Sequence, residues 1–307
     1  MVKNLIFGLV GGLGFFFLGM QMMSDGLKKI AGERLKKILH MATKVPAVGI
    51  LIGAGITCLI QSSSATTVMV VGFVNAGLLV LKQAISVVVG ANIGTTFTAW
   101  LVSSMSVFKV TQYALPVIGI GFAIMKFGKT RKTRFWGQVL MGFGMLFLGL
   151  SFMKEAVVPL KESQHIKDIF VMFGDNPLLG VLAGIIFTVL LQSSSATIAI
   201  VQVLAFNGLL SFPAAIPIIL GDNIGTTITA QLASIGTNLN ARRAAMSHTL
   251  FNVIGTSYML ILIYTGLLSK FTNFVIPPAA ITSRNIMFCI AVFHSSFNVL
   301  NAIIFLS

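Results

Sequence analysis

Apolar runs recur along the chain, several of them about 20 residues long, the length an α-helix needs to cross a hydrocarbon core roughly 30 Å thick. They predict membrane spans over residues 4–23, 84–106, 112–127, 133–153, 213–236, 243–268 and 285–306. No small-residue cleavage site follows 4–23, so that run reads as a retained first span rather than a signal peptide. Four other apolar stretches are shorter and come in pairs. Limbs 45–60 and 65–80 would each rise roughly 24 Å as helices, less than the full core. They meet at a polar QSSS, so 45–80 predicts a re-entrant helical hairpin with QSSS at its tip, and 176–210 predicts a second. Non-helical backbone at membrane depth persists only where protein or a wet cavity satisfies its polar groups, which puts each tip beside a cavity. Polar amphipathic stretches precede the hairpins at 24–44 and 154–175.

The pattern is duplicated. Gln61 and Gln192 are 131 positions apart, and so are Asn92 and Asn223. At that offset Pro46, Gly49 and Gly53 match Pro177, Gly180 and Gly184, QSSSAT 61–66 matches QSSSAT 192–197, and GANIGTT 90–96 matches GDNIGTT 221–227. Upstream, FLG 17–19 resembles FLG 147–149. The organisation expected is repeat 1 over 1–127, repeat 2 over 128–268 and a C-terminal membrane helix within 269–307, all in one transport domain. With hairpins entering and leaving on one side, each repeat holds an odd number of spans, and the two hairpins enter from opposite faces. The fold class expected is therefore an all-α polytopic membrane protein with two inverted-topology repeats, each carrying a re-entrant hairpin and a broken transmembrane helix, an arrangement in which transporters hold substrate near the midplane.

Composition agrees with membrane as the solvent. The chain of 307 residues is 56% hydrophobic and 9% charged, against roughly one quarter charged in a soluble domain. The formal net charge of +14 would suggest nucleic acid in a soluble protein, but basic-aromatic interleaving and nucleic-acid motifs are absent. The basic residues cluster between spans instead, at Lys28, Lys29, Arg34, Lys36, Lys37 and Lys44, from Lys126 to Arg134, and at Arg242 and Arg243, as expected of cytoplasmic loops. Cys58 and Cys289 stand far apart in apolar stretches, which indicates neither a disulfide framework nor a metal site. No Ser-His-Asp, paired-carboxylate, Walker or HExxH arrangement occurs, so neither an enzyme nor an ATP-driven pump is expected.

The candidate chemistry lies at the tips and in the second duplicated motif. Gln61, Ser62, Ser63 and Ser64, with Gln192, Ser193, Ser194 and Ser195, supply hydroxyls, amides and the N–H groups of a helix N-terminus, a set that suits an anion without any Lys or Arg. Small Ser and Ala residues also let helices pack closely; the duplication favours the binding reading. Asn92, Thr95 and Thr96, and their partners Asn223, Thr226 and Thr227, put polar groups and a glycine inside an apolar span, where an unwound helix would free carbonyls for Na⁺. Asp222 replaces the first repeat's Ala91 and is the intramembrane carboxylate, expected as a cation ligand for Na⁺ or H⁺. Thr66, Thr197, His248 and Asn252 are weaker pathway candidates; His248 and Asn252 share a helical face, and HTLFN 248–252 is echoed by HSSFN 294–298. The glycine pairs Gly8/Gly12, Gly49/Gly53 and Gly180/Gly184 read mainly as tight helix contacts, and exposed GxxxG faces make a homodimer an option.

The paired QSSS segments, the two NIGTT segments and the HxxFN element strongly resemble the type II sodium-dependent phosphate cotransporters, over 40–252 at least. That resemblance implies a Na⁺-coupled symporter of inorganic phosphate, working by alternating access in a bacterial plasma membrane, with both QSSS regions meeting at the substrate. It implies no cofactor beyond Na⁺ as coupling ion, and phosphate, Na⁺ and lipid as partners. Another oxyanion, H⁺ coupling or a passive anion channel remain as alternatives. The family's HxFN element maps onto His248, Phe251 and Asn252, and no such element follows NIGTT in the first half. Bacterial relatives often append a soluble C-terminal domain; this chain stops after its last span and reads as a minimal or shortened transport core.

Overall fold

A computed structural model of the chain describes residues 2–31, 45–108, 110–163, 172, 176–275 and 280–306. Every regular element among them is helical. The first part holds α1 (Val2–Ala31), α2 (Pro46–Ile60), α3 (Ser63–Asn75), α4 (Leu81–Phe108), α5 (Ala114–Phe127) and α6 (Arg131–Val157). The second holds α7 (Pro177–Leu191), α8 (Ser194–Phe206), α9 (Phe212–Thr226), α10 (Ile228–Ala233), α11 (Leu239–Tyr264), α12 (Leu267–Val275) and α13 (Ile286–Leu306). Five of the described helices are long and apolar enough to cross a membrane. Large apolar side chains such as Leu51, Phe127 and Leu190, more than 70% exposed, suit hydrocarbon rather than water. The chain is an all-helical multi-pass membrane protein.

Both hairpins form where the sequence places them, α2–α3 and α7–α8. Each first limb starts with Pro at its first position, Pro46 or Pro177, where the missing N–H costs nothing. Leaving the second limb, Gly77 and Gly208 take φ of +71° and +74°, which explains why GLL recurs. The duplication extends to packing. A Cβ on Gly53 would lie 2.0 Å from the carbonyl oxygen of Val87, and one on Gly90 2.0 Å from that of Ile50. The matched pairs Gly184–Ile218 and Gly221–Val181 repeat the same 2.0 Å approaches. Backbone therefore lies against backbone where α2 meets α4 and where α7 meets α9, which no larger residue permits.

The other expected glycine contacts also fall inside the chain. Along α1, Gly12 abuts Gly149 and Met153 of α6, and Gly8 abuts Ala156. The GxxxG pairs therefore serve contacts within the chain. The third layer of packing is α8, buried among α4, α6 and α13, with Gln202 Nε2 donating to the carbonyls of Ala99 (3.1 Å) and Met287 (2.8 Å).

Three expectations need correction. The first repeat's NIGTT does not break a helix: α4 runs unbroken through Asn92–Thr96. Its glycine serves contact rather than hinge, since a Cβ on Gly94 would meet the Ala54 carbonyl at 2.6 Å and Thr57 at 2.7 Å. Only the second repeat's helix is interrupted, at the single residue Thr227, where Thr226, Thr227 and Thr229 hydroxyls or carbonyls bond locally in place of ladder partners. The spans expected at 112–127 and 213–236 are accordingly not single long helices: α5 has 14 residues after a 3₁₀ turn at Val110–Tyr113, and 213–236 divides into α9 and α10. Of the polar stretches, 24–31 continues α1 and 154–163 ends α6 with a 3₁₀ turn. Arg34, Lys36, Lys37, Lys44, Lys167, Asp168 and Asp175 lie outside the described residues.

Candidate functional site

Each QSSS ends one helix and starts the next. Gln61 and Gln192 are left-handed, with φ of 57° and 53°, a conformation rare outside glycine. The Gln61 N–H donates to Thr57 O at 2.7 Å, and its side-chain amide turns back onto the Cys58 carbonyl; Gln192 Nε2 does the same to Val189 O at 2.7 Å. The next residue is extended and caps the following helix: Ser62 Oγ accepts from the Ala65 N–H (3.1 Å) and Ser193 Oγ from the Ala196 N–H (3.3 Å). Threonines tie the limbs together, Thr57 Oγ1 to Thr66 Oγ1 at 3.0 Å and Thr188 Oγ1 to Thr197 Oγ1 at 2.9 Å. A carbonyl-rich C-terminus and an N–H-rich N-terminus thus meet at one tip, which suits a cation on one side and an anion on the other.

The two tips converge on α4. Thr98 Oγ1, in a side chain almost fully buried, donates to Gln61 Oε1 at 3.2 Å and lies 3.2 Å from Ser195 Oγ. One hydroxyl therefore joins the first tip, α4 and the second tip. The matched residue Thr229 makes no such bridge; its hydroxyl returns to Thr226 O at 3.0 Å. The tips are unequal in the same sense, since Gln61 is buried and Gln192 exposed. Both face one cavity of about 340 Å³, to which Gln61, Ser62, Gln192, Ser193 and Ser195 contribute from the hairpins. Ser63, Ser64 and Ser194 stand outside its lining, and Ser63 and Ser194 are buried at the starts of α3 and α8. The remaining wall is α1, including Gln21, Ser24, Asp25 and Lys28.

The second set of predicted residues forms two buried clusters. Thr95 and Thr96 return their hydroxyls to Ala91 O (3.1 Å) and Ile93 O (2.8 Å), and Thr226 and Thr227 to Asp222 O (2.8 Å) and Ile224 O (2.8 Å). The expected freed carbonyls are therefore missing from α4. Asn92 Oδ1 accepts from Asn252 Nδ2 at 3.2 Å and lies 3.3 Å from His248 Nε2. Asn223 Oδ1 lies 3.2 Å from His294 Nε2. The two HxxFN elements are thus shared out: HTLFN serves the first repeat's NIGTT, although it follows the second in sequence, and HSSFN serves the second. The first half does not lack this partner. Asp222 is fully buried; Oδ1 accepts from Thr188 Oγ1 at 2.6 Å, while Oδ2 has no protein partner.

Sequence reasoning singled out most of the tip but missed Thr57, Thr188, Thr98 and the α1 wall. Thr57 and Thr188 carried a usable signal, being matched at the 131-residue offset. So did Thr98 and Thr229. The α1 residues have no counterpart motif and only the fold reveals them.

Known proteins resemble the chain in both halves. The sequence model of the Na⁺/Pi-cotransporter family matches twice, over 15–155 and 160–301. The uncharacterized protein YqeW of Bacillus subtilis is 30% identical over 292 residues, 95% of this chain and 91% of its own. YjbB of Escherichia coli (strain K12), named as a candidate inorganic phosphate export protein, is 29% identical over 262 residues, 85% of this chain. The chain spans about half the length (47%) of that relative. Sodium-dependent phosphate transport protein 2A of Ovis aries is 40% identical over 108 residues, 33% of this chain and 17% of its own. No solved structure matches. With the family matching both halves of a chain whose two QSSS tips close on one cavity, the protein belongs to the Na⁺/Pi-cotransporter family.

Proposed function

We propose that the chain is a sodium-coupled symporter that carries inorganic phosphate across the plasma membrane by alternating access. The observation that carries this reading is the convergence of both QSSS tips, through Thr98, on one cavity. Phosphate is held there by the N-terminal N–H groups of α3 and α8 and by the hydroxyl and amide groups of Gln61, Ser62, Gln192, Ser193 and Ser195. An anion needs no basic side chain at such a place. Na⁺ is taken near Asp222, whose partnerless Oδ2 is a hard, negative oxygen, with Thr188 and Thr197 close by. Asn223, held by His294, and the threonines beside it support the helix segment around that ion, and Asn92, held by His248, supports the matching segment of α4. The repeats are inverted, so that the hairpins open in turn to opposite sides. Support for the substrate comes from the family and from relatives named for sodium-dependent phosphate transport.

YjbB's name favours a second reading, phosphate export. Reconstituted vesicles with radiolabelled phosphate separate the two. Symport predicts accumulation above the equilibrium level under an inward Na⁺ gradient, and uptake falling about tenfold or more when choline replaces Na⁺, which amounts to about 1.4 kcal/mol or more of coupling. Equal uptake in choline removes Na⁺ coupling, and flux that only follows the phosphate gradient leaves a passive pore. Competition by sulfate and arsenate defines the oxyanion.

A further inference from the structure

Helix α1 is apolar from Leu5 to Met20, and beyond that Gln21, Ser24, Asp25 and Lys28 occur at spacings i, i+3, i+4 and i+7. That spacing is a single helical face. All four residues line the cavity that holds the two tips. The face is fixed in place, because Ser24 Oγ donates to Ile60 O at 2.6 Å, the last helical residue before the first tip. Lys28 Nζ lies 3.5 Å from Asp25 Oδ1, and both side chains are partly open, at 42% and 40% exposure. Its neighbour Lys29 points elsewhere, to Gln138 Oε1 (3.3 Å) and over the Phe135 ring on α6.

A solvated helix end would not need a polar stripe directed at one cavity, nor one pinned to the hairpin tip. We infer that this face of α1 is part of the anion site, with Lys28 as the cationic residue that recruits phosphate and Asp25 as the counter-charge holding Lys28 until the anion arrives. The inference rests on the phosphate reading of the tips. The tips themselves offer neutral donors, so the one positive charge at the cavity wall among the described residues sets how strongly a mono- or dianion is drawn in. An exposed Asp25–Lys28 pair is weak enough to be exchanged for a phosphate oxygen. Because Lys28 is absent from the tips, its loss affects capture rather than the moving parts.

The test is phosphate transport by the full chain in vesicles at saturating Na⁺, for wild type, Lys28→Gln, Lys28→Arg, Asp25→Asn and Lys29→Gln. Lys28→Gln is expected to raise the phosphate KM about fivefold to tenfold with the maximal rate kept, the size of one partly screened unit-charge attraction. Lys28→Arg restores the wild-type KM, Asp25→Asn lowers it, Lys29→Gln leaves it unchanged, and added salt narrows these differences. A wild-type KM in Lys28→Gln, or a lost rate at unchanged KM, overturns the inference while leaving phosphate transport intact. If Lys28→Gln does not insert, Asp25→Asn decides alone: a KM that stays or rises overturns it. Absence of phosphate transport in wild type removes both the functional reading and this one.

Discussion

At the scale of single residues, the site turns on a few hydroxyls and one carboxylate. Thr98 is the clearest case, because one side chain holds Gln61 Oε1 and Ser195 Oγ together. Thr98→Val keeps the shape and removes the hydroxyl, leaving two polar atoms short of a partner, at about 1–3 kcal/mol for each buried one. The expected outcome is a lower melting temperature in detergent and phosphate transport reduced about tenfold or more, with Thr98→Ser close to wild type. Thr229→Val, which removes only a bond back to its own helix, should melt nearer wild type; equal losses at both positions would refute the bridging role. Asp222→Asn tests the cation side. Its Oδ1 bond to Thr188 survives as an amide oxygen, so the fold is kept, while the half-saturating Na⁺ concentration should rise about tenfold or more, the loss expected for a bond to a charged group. Wild-type Na⁺ dependence in that variant excludes Asp222 from the cation site. Asp222 was legible in sequence as a lone acid in an apolar run. Thr98 was not, since a threonine inside an apolar helix looks like any other until the second hairpin is folded against it.

At the scale of elements, the hairpins were legible because three signals coincide in each: limbs too short to span, a proline opening the first limb, and a polar tip. What misled was NIGTT, in which a glycine beside Asn and Thr reads equally as a hinge or as a contact. In α4 contact wins, because Gly94 sits against Ala54 and Thr57 and the threonine hydroxyls find carbonyls without unwinding the helix. The same physics makes the hairpin–helix seams intolerant of added volume. Gly53→Ala would set a methyl 2.0 Å from the Val87 carbonyl, and Gly184→Ala would do so at Ile218, with only backbone available to move. Each is expected to destabilise by about 1–3 kcal/mol or more, as overpacking does. Gly72→Ala, on an open helix surface, should cost nothing and stabilise slightly. Thermal melting of the purified protein checks all three, and a Gly53→Ala variant as stable as wild type would show that the seam can open freely.

At the scale of the whole molecule, the halves share one design but hold it in different states. Gln61 is buried and bonded to Thr98 while Gln192 is exposed, and Ser195 is bridged while Ser64 is not. Sequence alone shows both halves carrying the same residues and hides which of them are engaged. It also misassigned the HxxFN elements, because adjacency along the chain is not adjacency across it: His248 reaches back 156 positions to Asn92. If the two repeats exchange roles during transport, the opposite state must put Thr229 between Gln192 and Ser64, as Thr98 now stands between Gln61 and Ser195. Paired cysteines replacing Thr98 and Ser195, in a background with Cys58 and Cys289 removed, should cross-link and arrest transport in one state. Cysteines replacing Thr229 and Ser64 should cross-link only when Na⁺ and phosphate allow turnover, and reductant should return each double variant to the flux it has before cross-linking. Hydroxyls 3.2 Å apart place the first pair within reach of a disulfide or a short bifunctional reagent after small adjustment. A Thr229–Ser64 pair that never cross-links under turnover would mean that the halves do not trade places, and that the asymmetry between the tips is permanent.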